Sequence, residues 1–370
     1  MILPSLSHRV RFPLLALLIL TSTLLLWHVR RSSLDAEASP EWPLDHPLVL
    51  PEYGPSGEAV GKQEQGTERL QPEILGGDCP PLPGIEDVFV ILKTGATVIN
   101  KKLPIHFNTT LRCIPNYVIF SDMAEEMNGH QIYDALDEIP EAITKETEEF
   151  ELYRLLQDYK SRGLNNSELV QTPDAVKKAW DLDKWKCLPI MKKAYTLRKA
   201  KWYVFMEADT SIFWSNILRW LEHLNHEEDW YIGGQAYAGD QVFAHGGTGF
   251  VISNRSMTEL VEYIDSHKEE METLTRDEWA GDVVLGKAFK KIDVELTQSW
   301  PIFQGDTPYS LDYTEKHYCF PVVSYHHVDA EWIQKLWEFE MEWVSKVSNP
   351  RIHWNHLLTK SHRATGVHPA

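Results

Sequence analysis

Three short apolar runs, each cut off by polar or acidic residues, constrain the fold of this chain most. Residues 88–92 end at Lys93-Thr94-Gly95, residues 117–120 end at Ser121-Asp122, and residues 202–206 end at Glu207-Ala208-Asp209. Continuous runs of this kind suit strands buried on both faces, as in a parallel sheet covered by helices. Helical patterns alternate with them. Ile217, Trp220, Leu221 and Leu224 make one apolar face, and Met257, Leu260, Val261 and Ile264 repeat the spacing. Ser256 to Glu259 reads as a capping box opening the second of these helices, and Thr172-Pro173 as an N-cap followed by an N1 proline. Pro189 should kink or start any helix through residues 185–197. Strands alternating with helices predict the α/β class. In open sheets of that class ligands bind beyond the carboxyl ends of the strands. The polar endings therefore fall where chemistry is expected.

The N-terminus is organised differently. Residues 12–29 contain no acid, lysine or arginine, and Arg9, Arg11, Arg30 and Arg31 flank them. A helix of that length spans about 27 Å, enough for a thin bilayer. The reading is a cytoplasmic tail over 1–11, a transmembrane signal anchor over 12–29 and a flexible Pro/Gly/Glu/Ser-rich stem over 30–80. A cleaved signal peptide and a buried core helix are the alternatives. The folded part occupies 81–350, with a C-terminal tail over 351–370. Cys79, Cys113, Cys187 and Cys319 permit two disulfides in any of three pairings, or four reduced core thiols. Sequons at Asn108, Asn165 and Asn254 add weak support for a secretory location. With 36 Lys+Arg against 54 Asp+Glu, the net charge of −18 argues against nucleic acid as a partner.

Four segments carry candidate chemistry. Glu207 and Asp209 lie two residues apart at a strand end, so both carboxylates point the same way and can share a hard divalent cation, Mn²⁺ or Mg²⁺. A solvated turn or a helix cap is the bland alternative. Gly246-Gly247-Thr248-Gly249 precedes an apolar run and permits close backbone approach of a ligand, or simply makes a tight turn. Asp282 sits at an expected helix start, as a base or as a partner of the helix dipole. Residues 319–328 read as a strand. Alternation along it should let at most one of His326 and His327 enter a metal site.

In this order the pieces resemble glycosyltransferase family 31, which includes the Fringe proteins and core 1 β1,3-galactosyltransferase. The resemblance covers roughly residues 86–343. It rests on the strand ends at Lys93-Thr94 and Ser121-Asp122, the Glu207-Ala208-Asp209 segment with residues 216–221 after it, residues 246–253, residues 282–286 and residues 323–329. It implies a GT-A type, Rossmann-like nucleotide-sugar-binding fold as a single lumenal catalytic domain. It also implies a UDP-sugar donor, Mn²⁺ (or Mg²⁺), and inverting transfer, commonly β1,3, to a glycan or glycoprotein acceptor. By position, Lys93, Thr94, Asp122 and Asp209 would contact the donor nucleotide. Glu207, Asp209 and His326 would hold the metal, and Asp282 would be the base. Trp185, Lys186, Gly246 and Gly247 would line the substrate cleft. Trp300, Phe303 and Tyr309 are candidate sugar-stacking rings, with core packing as the alternative for each. The implied setting is a single-pass type II Golgi membrane protein, and a homodimer is compatible with it. Two departures stand out. Glu207-Ala208-Asp209 stands where the family has Asp-Asp-Asp, lengthening the first acid and removing the middle one, and Gly281 replaces the Glu before Asp282. The rival readings are a non-catalytic lumenal chaperone or lectin-like homologue, and a secreted hydrolase using paired carboxylates.

Overall fold

A computed structural model describes residues 79–164, 169–312, 314, 317 and 320–346. The proposed anchor, the stem up to residue 78, Asn165, Cys319 and the C-terminal tail lie outside these residues. Among the described residues no helix is long and apolar enough to cross a membrane.

The frame is an eight-stranded sheet in the order β11-β7-β10-β5-β1-β2-β4-β3. The three apolar runs are its centre: β1 (Val88–Lys93), β2 (Tyr117–Ser121) and β5 (Trp202–Glu207). β1 pairs in parallel with β2 on one side and with β5 on the other. Beyond β2 lie β4 (His130–Asp134) and the edge strand β3 (Glu125–Met127). Beyond β5 lie β10 (Phe250–Ser253), antiparallel to it, then β7 (Tyr231–Gly233) and β11 (Leu296–Gln298). Two small pairs complete the strands. β6 (Ser211–Ile212) joins β12 (Ser324–Tyr325), and β8 (Gln235–Ala238) joins β9 (Gln241–Ala244).

The continuous apolar runs are explained by cover on both faces. Phe89, Ile91, Val118, Phe120, Tyr203 and Phe205 enter one buried cluster. Their sequence neighbours Val88, Val90, Leu92, Ile119, Val204 and Met206 enter another. Helices α1 (Ile99–Lys102), α2 (Pro104–Asn108) and α7 (Trp214–Leu221) supply the second cluster. Helices α6 (Cys187–Leu197), α8 (Asn254–Ser266) and α10 (Gly281–Lys291) supply the first. The remaining helices are α3 (Glu141–Glu146), α4 (Glu151–Ser161), α5 (Pro173–Asp183), α9 (Lys268–Asp277) and α11 (Ala330–Lys346). The chain leaves β1 for β2 on one side and later returns to β5 on the other. The carboxyl end of β1 is thus a topological switch point, where an α/β sheet opens a crevice.

Local signals read from the sequence hold unevenly. Thr172 caps α5 by accepting from the Ala175 N–H at 3.1 Å, with Pro173 at N1. The cap of α8 is Ser253, not Ser256. Ser253 Oγ accepts from the Ser256 N–H, and the helix opens three residues earlier than the capping-box pattern indicates. α6 starts two residues before Pro189, which therefore falls in the first turn, where its missing N–H has no intrahelical partner. The long strand expected over 319–328 reduces to Ser324–Tyr325. Cys79 and Cys113 form a disulfide with Cα atoms 5.6 Å apart, while Cys187 is a free, buried thiol. The two-disulfide arrangement is thereby excluded.

One buried acid ties the C-terminal helix to the sheet. Glu340 of α11 accepts from the backbone N–H and the hydroxyl of Ser215 at 2.7 and 2.8 Å, at the first turn of α7. Burial raises its carboxyl from 4.5 to about 7, against the pull of these hydrogen bonds. Because the folded-state value is the higher one, its contribution to stability is full below pH 4.5 and is lost as pH rises through 7. Glu340→Gln keeps the acceptor and removes the charge. Thermal melts at pH 5 and pH 8 should therefore show the variant gaining on the wild type at pH 8, by at most about 3 kcal/mol. Equal pH profiles for the two proteins would contradict this.

Candidate active site

The site is built where β1, β2 and β5 end. Lys93, last in β1, extends its ammonium to Asp183 and to Glu207 Oε1, the latter at 2.9 Å. Asp183, the last residue of α5, also accepts from Lys186 Nζ at 2.8 Å. Lys186 reaches Asp122 Oδ1 at 2.6 Å and the Thr94 carbonyl at 3.3 Å. The other oxygen of Asp122 accepts from the Ala96 N–H at 3.0 Å. Two lysines and three carboxylates thus form one chain of ion pairs beneath the switch point. Burial alone would lower the pKa of both lysines. The facing carboxylates overcome it and raise Lys93 well above its ordinary value, and Lys186 above its own. Both stay charged.

Asp209 stands apart from this chain. Its Oδ2 accepts from Lys102 Nζ at 2.6 Å, while Oδ1 lies 3.7 Å from His326 Nε2. His327 Nδ1 is 3.8 Å from Oδ2. Burial pushes the Asp209 carboxyl up, but the Lys102 bond and charge, with the two histidines, bring it below its ordinary value. The histidines arrive because β12 pairs with β6, immediately after Asp209, and the Val328 N–H donates to the Asp209 carbonyl at 2.9 Å. Both imidazoles face the acid. The strand ends at Tyr325 and His327 turns into the left-handed region, φ 56°, so alternation no longer separates the two rings. They stack with centroids 3.7 Å apart. The expectation that only one could approach a metal is corrected on this point. Asp209, His326 and His327 offer ligand atoms within 4.8 Å of one another. Glu207, held by Lys93, is outside that group.

The glycine segment links the two halves. The Gly246 N–H donates to Asp282 Oδ2 at 3.1 Å. A Cβ on Gly246 would stand 3.4 Å from Glu207 Oε1, and one on Gly247 would fall 2.1 Å from His326 Cε1. His326 therefore packs flat on a position that only glycine can occupy. Thr210 Oγ donates to the Gly247 carbonyl at 2.7 Å and Ser324 Oγ to the Thr248 carbonyl at 2.6 Å, which fix the segment against β12 and the residue preceding β6. Asp282 is at the second position of α10, and its Oδ1 accepts from the Val283 N–H at 2.9 Å. Burial raises its carboxyl, opposed by the Gly246 N–H and by His245 and Lys93.

Both departures from the family pattern have a local physical reason, desolvation at Ala208 and crowding at Gly281. Ala208 is buried in the apolar cluster beside α2, and its carbonyl accepts from His106 Nε2 at 2.9 Å. A carboxylate there would be desolvated among hydrocarbons. A Cβ on Gly281 would lie 3.1 Å from Cys187 Cβ and 3.3 Å from Lys184 Cα, leaving little room for a glutamate.

The other expected residues are distributed unevenly. Thr94 is buried and its hydroxyl finds no hydrogen-bond partner among the described residues. Trp185 is buried against Phe150, and Phe303 against Trp220, so neither offers a ring face to solvent. Trp300 is 40% exposed and Tyr309 58%, the latter beside Trp332. Asp183, Lys102 and His245 were not anticipated as site residues, and His327 was the less favoured of the two histidines. Asp183 lies two residues before Trp185-Lys186, but its pairing with Lys93 spans 90 residues and has no local signal.

Residues 84–332 match the family described as Fringe-like. The chain belongs to the Fringe-like family. That family lies within glycosyltransferase family 31, and the parallel-rich sheet fits the GT-A, Rossmann-like fold. Among solved structures the chain is similar to the glycosyltransferase GlyE in Streptococcus pneumoniae TIGR4, at 11% identity and a TM-score of 0.34. The match covers 76% of this chain and 66% of that one. No curated protein matches the chain.

The donor set fits a divalent cation. One carboxylate and two imidazoles converge, and His326 Nδ1 is a buried nitrogen without a hydrogen-bond partner among the described residues. Burial holds His326 down to about 4, against the raising effect of Asp209 and Glu207, so it is neutral at pH 7, as a ligand must be. Two nitrogen donors favour Mn²⁺ over the oxygen-preferring Mg²⁺.

Proposed function

We propose that this protein is an inverting, Mn²⁺-dependent glycosyltransferase that moves a sugar from a UDP-sugar to a hydroxyl of a glycan or glycoprotein acceptor, forming a β1,3 linkage. The observation that carries the reading is the Gly246-Gly247 backbone. Its Gly246 N–H donates to Asp282, and Gly246 and Gly247 leave no more than a Cβ's room beside Glu207, Asp282 and His326. One short backbone segment thus adjoins both the candidate base and the candidate metal group, which supports a displacement of UDP by an acceptor hydroxyl within one crevice.

In this reading Asp282 removes the proton from the attacking acceptor hydroxyl. Its raised carboxyl brings it nearer the working pH than an ordinary aspartate, which suits general-base catalysis. The Gly246 N–H orients the carboxylate. Lys93 and Lys186, locked by their acids, fix the floor of the switch point where the nucleotide would lie. Asp209, His326 and His327 would hold Mn²⁺, which when bound stabilises the charge of the departing UDP. A type II Golgi placement, through an anchor at residues 12–29, completes the proposal.

Treatment with EDTA should stop transfer, and added Mn²⁺ should restore it, measured as product formed with a UDP-sugar and acceptor. Transfer indifferent to EDTA would remove the metal from the account.

A further inference from the structure

Among the described residues, Lys102 is the close partner of the Asp209 carboxylate that a metal-binding role does not use. Its ammonium is 2.6 Å from Asp209 Oδ2, the same oxygen that faces His327. A cation taken up by Asp209, His326 and His327 would meet that oxygen already engaged.

The backbone under Lys102 is anchored by buried neighbours while its side chain is partly exposed. Lys102 ends α1, and Ile99 and Leu103 on either side of it are buried in the core. In the next helix, His106 Nε2 is hydrogen-bonded to the carbonyl of Ala208, the residue before Asp209, at 2.9 Å. The Cα of Lys102 is thus fixed relative to the acid. The side chain itself is 35% exposed, against 13% for Lys93, which two carboxylates clamp. A partly solvated lysine on a four-carbon stem can swing with little desolvation cost.

We propose that Lys102 is a positioning residue that holds Asp209 until a divalent cation arrives, and that its ammonium then passes to the diphosphate of the bound nucleotide. This rests on the UDP-sugar and metal reading above. Two consequences follow from linkage. Any group that binds Asp209 in competition with the cation weakens cation binding, and a charge handed to the diphosphate strengthens nucleotide binding once the cation is in place.

The test is binding by the full-length protein, by titration calorimetry and Mn²⁺ electron paramagnetic resonance, for the wild type, Lys102→Met and Lys102→Arg. Without nucleotide, Lys102→Met is expected to bind Mn²⁺ about five- to tenfold more tightly. At saturating Mn²⁺ it is expected to bind UDP about tenfold more weakly. Lys102→Arg, which keeps the charge, is expected to follow the wild type in both titrations. Unchanged or weaker Mn²⁺ binding by Lys102→Met, in a protein whose wild type binds Mn²⁺, would overturn the holding role alone. Unchanged UDP affinity would overturn the transfer to the diphosphate. If neither wild type nor Lys102→Met binds Mn²⁺, the metal site itself fails and the proposal fails with it.

Discussion

Asp282→Asn is expected to lower sugar transfer by about 10²–10⁴-fold while leaving UDP affinity within about twofold of wild type. The asparagine matches the aspartate in shape, and its carbonyl can still accept from the Gly246 N–H that now bonds Oδ2 at 3.1 Å. What it cannot do is take a proton. The loss should therefore fall on kcat and not on donor binding. The pH dependence follows from the same environment. Burial raises the Asp282 carboxyl, so the wild-type rate should rise with pH through a value above that of an ordinary aspartate and then level off. A variant with full activity would move the base to another residue.

Lys186→Met is expected to cost about 3–5 kcal/mol of stability, roughly 10 °C in Tm. The pair it breaks is fully buried, with side chains 3% and 0% exposed for Lys186 and Asp122. Removing the ammonium leaves Asp122 with the Ala96 N–H as its recorded partner. Asp183 would keep Lys93, so the neighbouring end of the ion-pair chain stays compensated. A double variant, Lys186→Met with Asp122→Leu, removes both charges and should recover part of the loss, because an apolar pair avoids the desolvation that a lone carboxylate suffers. Thermal melts of the three proteins decide the matter. A single variant as stable as the wild type would mean that the network carries little of the fold.

The parallel sheet and its functional edge were legible because the signal is local. Each central strand is buried on both faces, so residues 88–92, 117–120 and 202–206 had to be apolar throughout, and the first polar residue marks the crevice. Asp282 was legible for a similar reason, since Gly281 and the apolar spacing after it mark a helix start. The features that escaped are those made by tertiary pairing. The Asp183 bridge joins residues 90 positions apart. The approach of His327 depends on one left-handed backbone angle that the alternation rule does not anticipate. Ser256 reads as a cap, but Ser253 already satisfies the Ser256 N–H, and tertiary contacts extend the helix back by a turn. Trp185 and Phe303 carry the residue types of a sugar platform, yet the space against Phe150 and Trp220 buries them.

In the proposed function, one crevice at the end of β1 and β5 carries out acceptor-dependent sugar transfer from a UDP-sugar. The protein is mixed with Mn²⁺, each of UDP-galactose, UDP-N-acetylglucosamine and UDP-N-acetylgalactosamine, and a panel of glycan acceptors, and released UDP is measured. Release with at least one donor that rises when an acceptor is added is expected. Release that ignores every acceptor would overturn the proposed transfer, as would a protein that binds UDP and Mn²⁺ yet releases none with any donor.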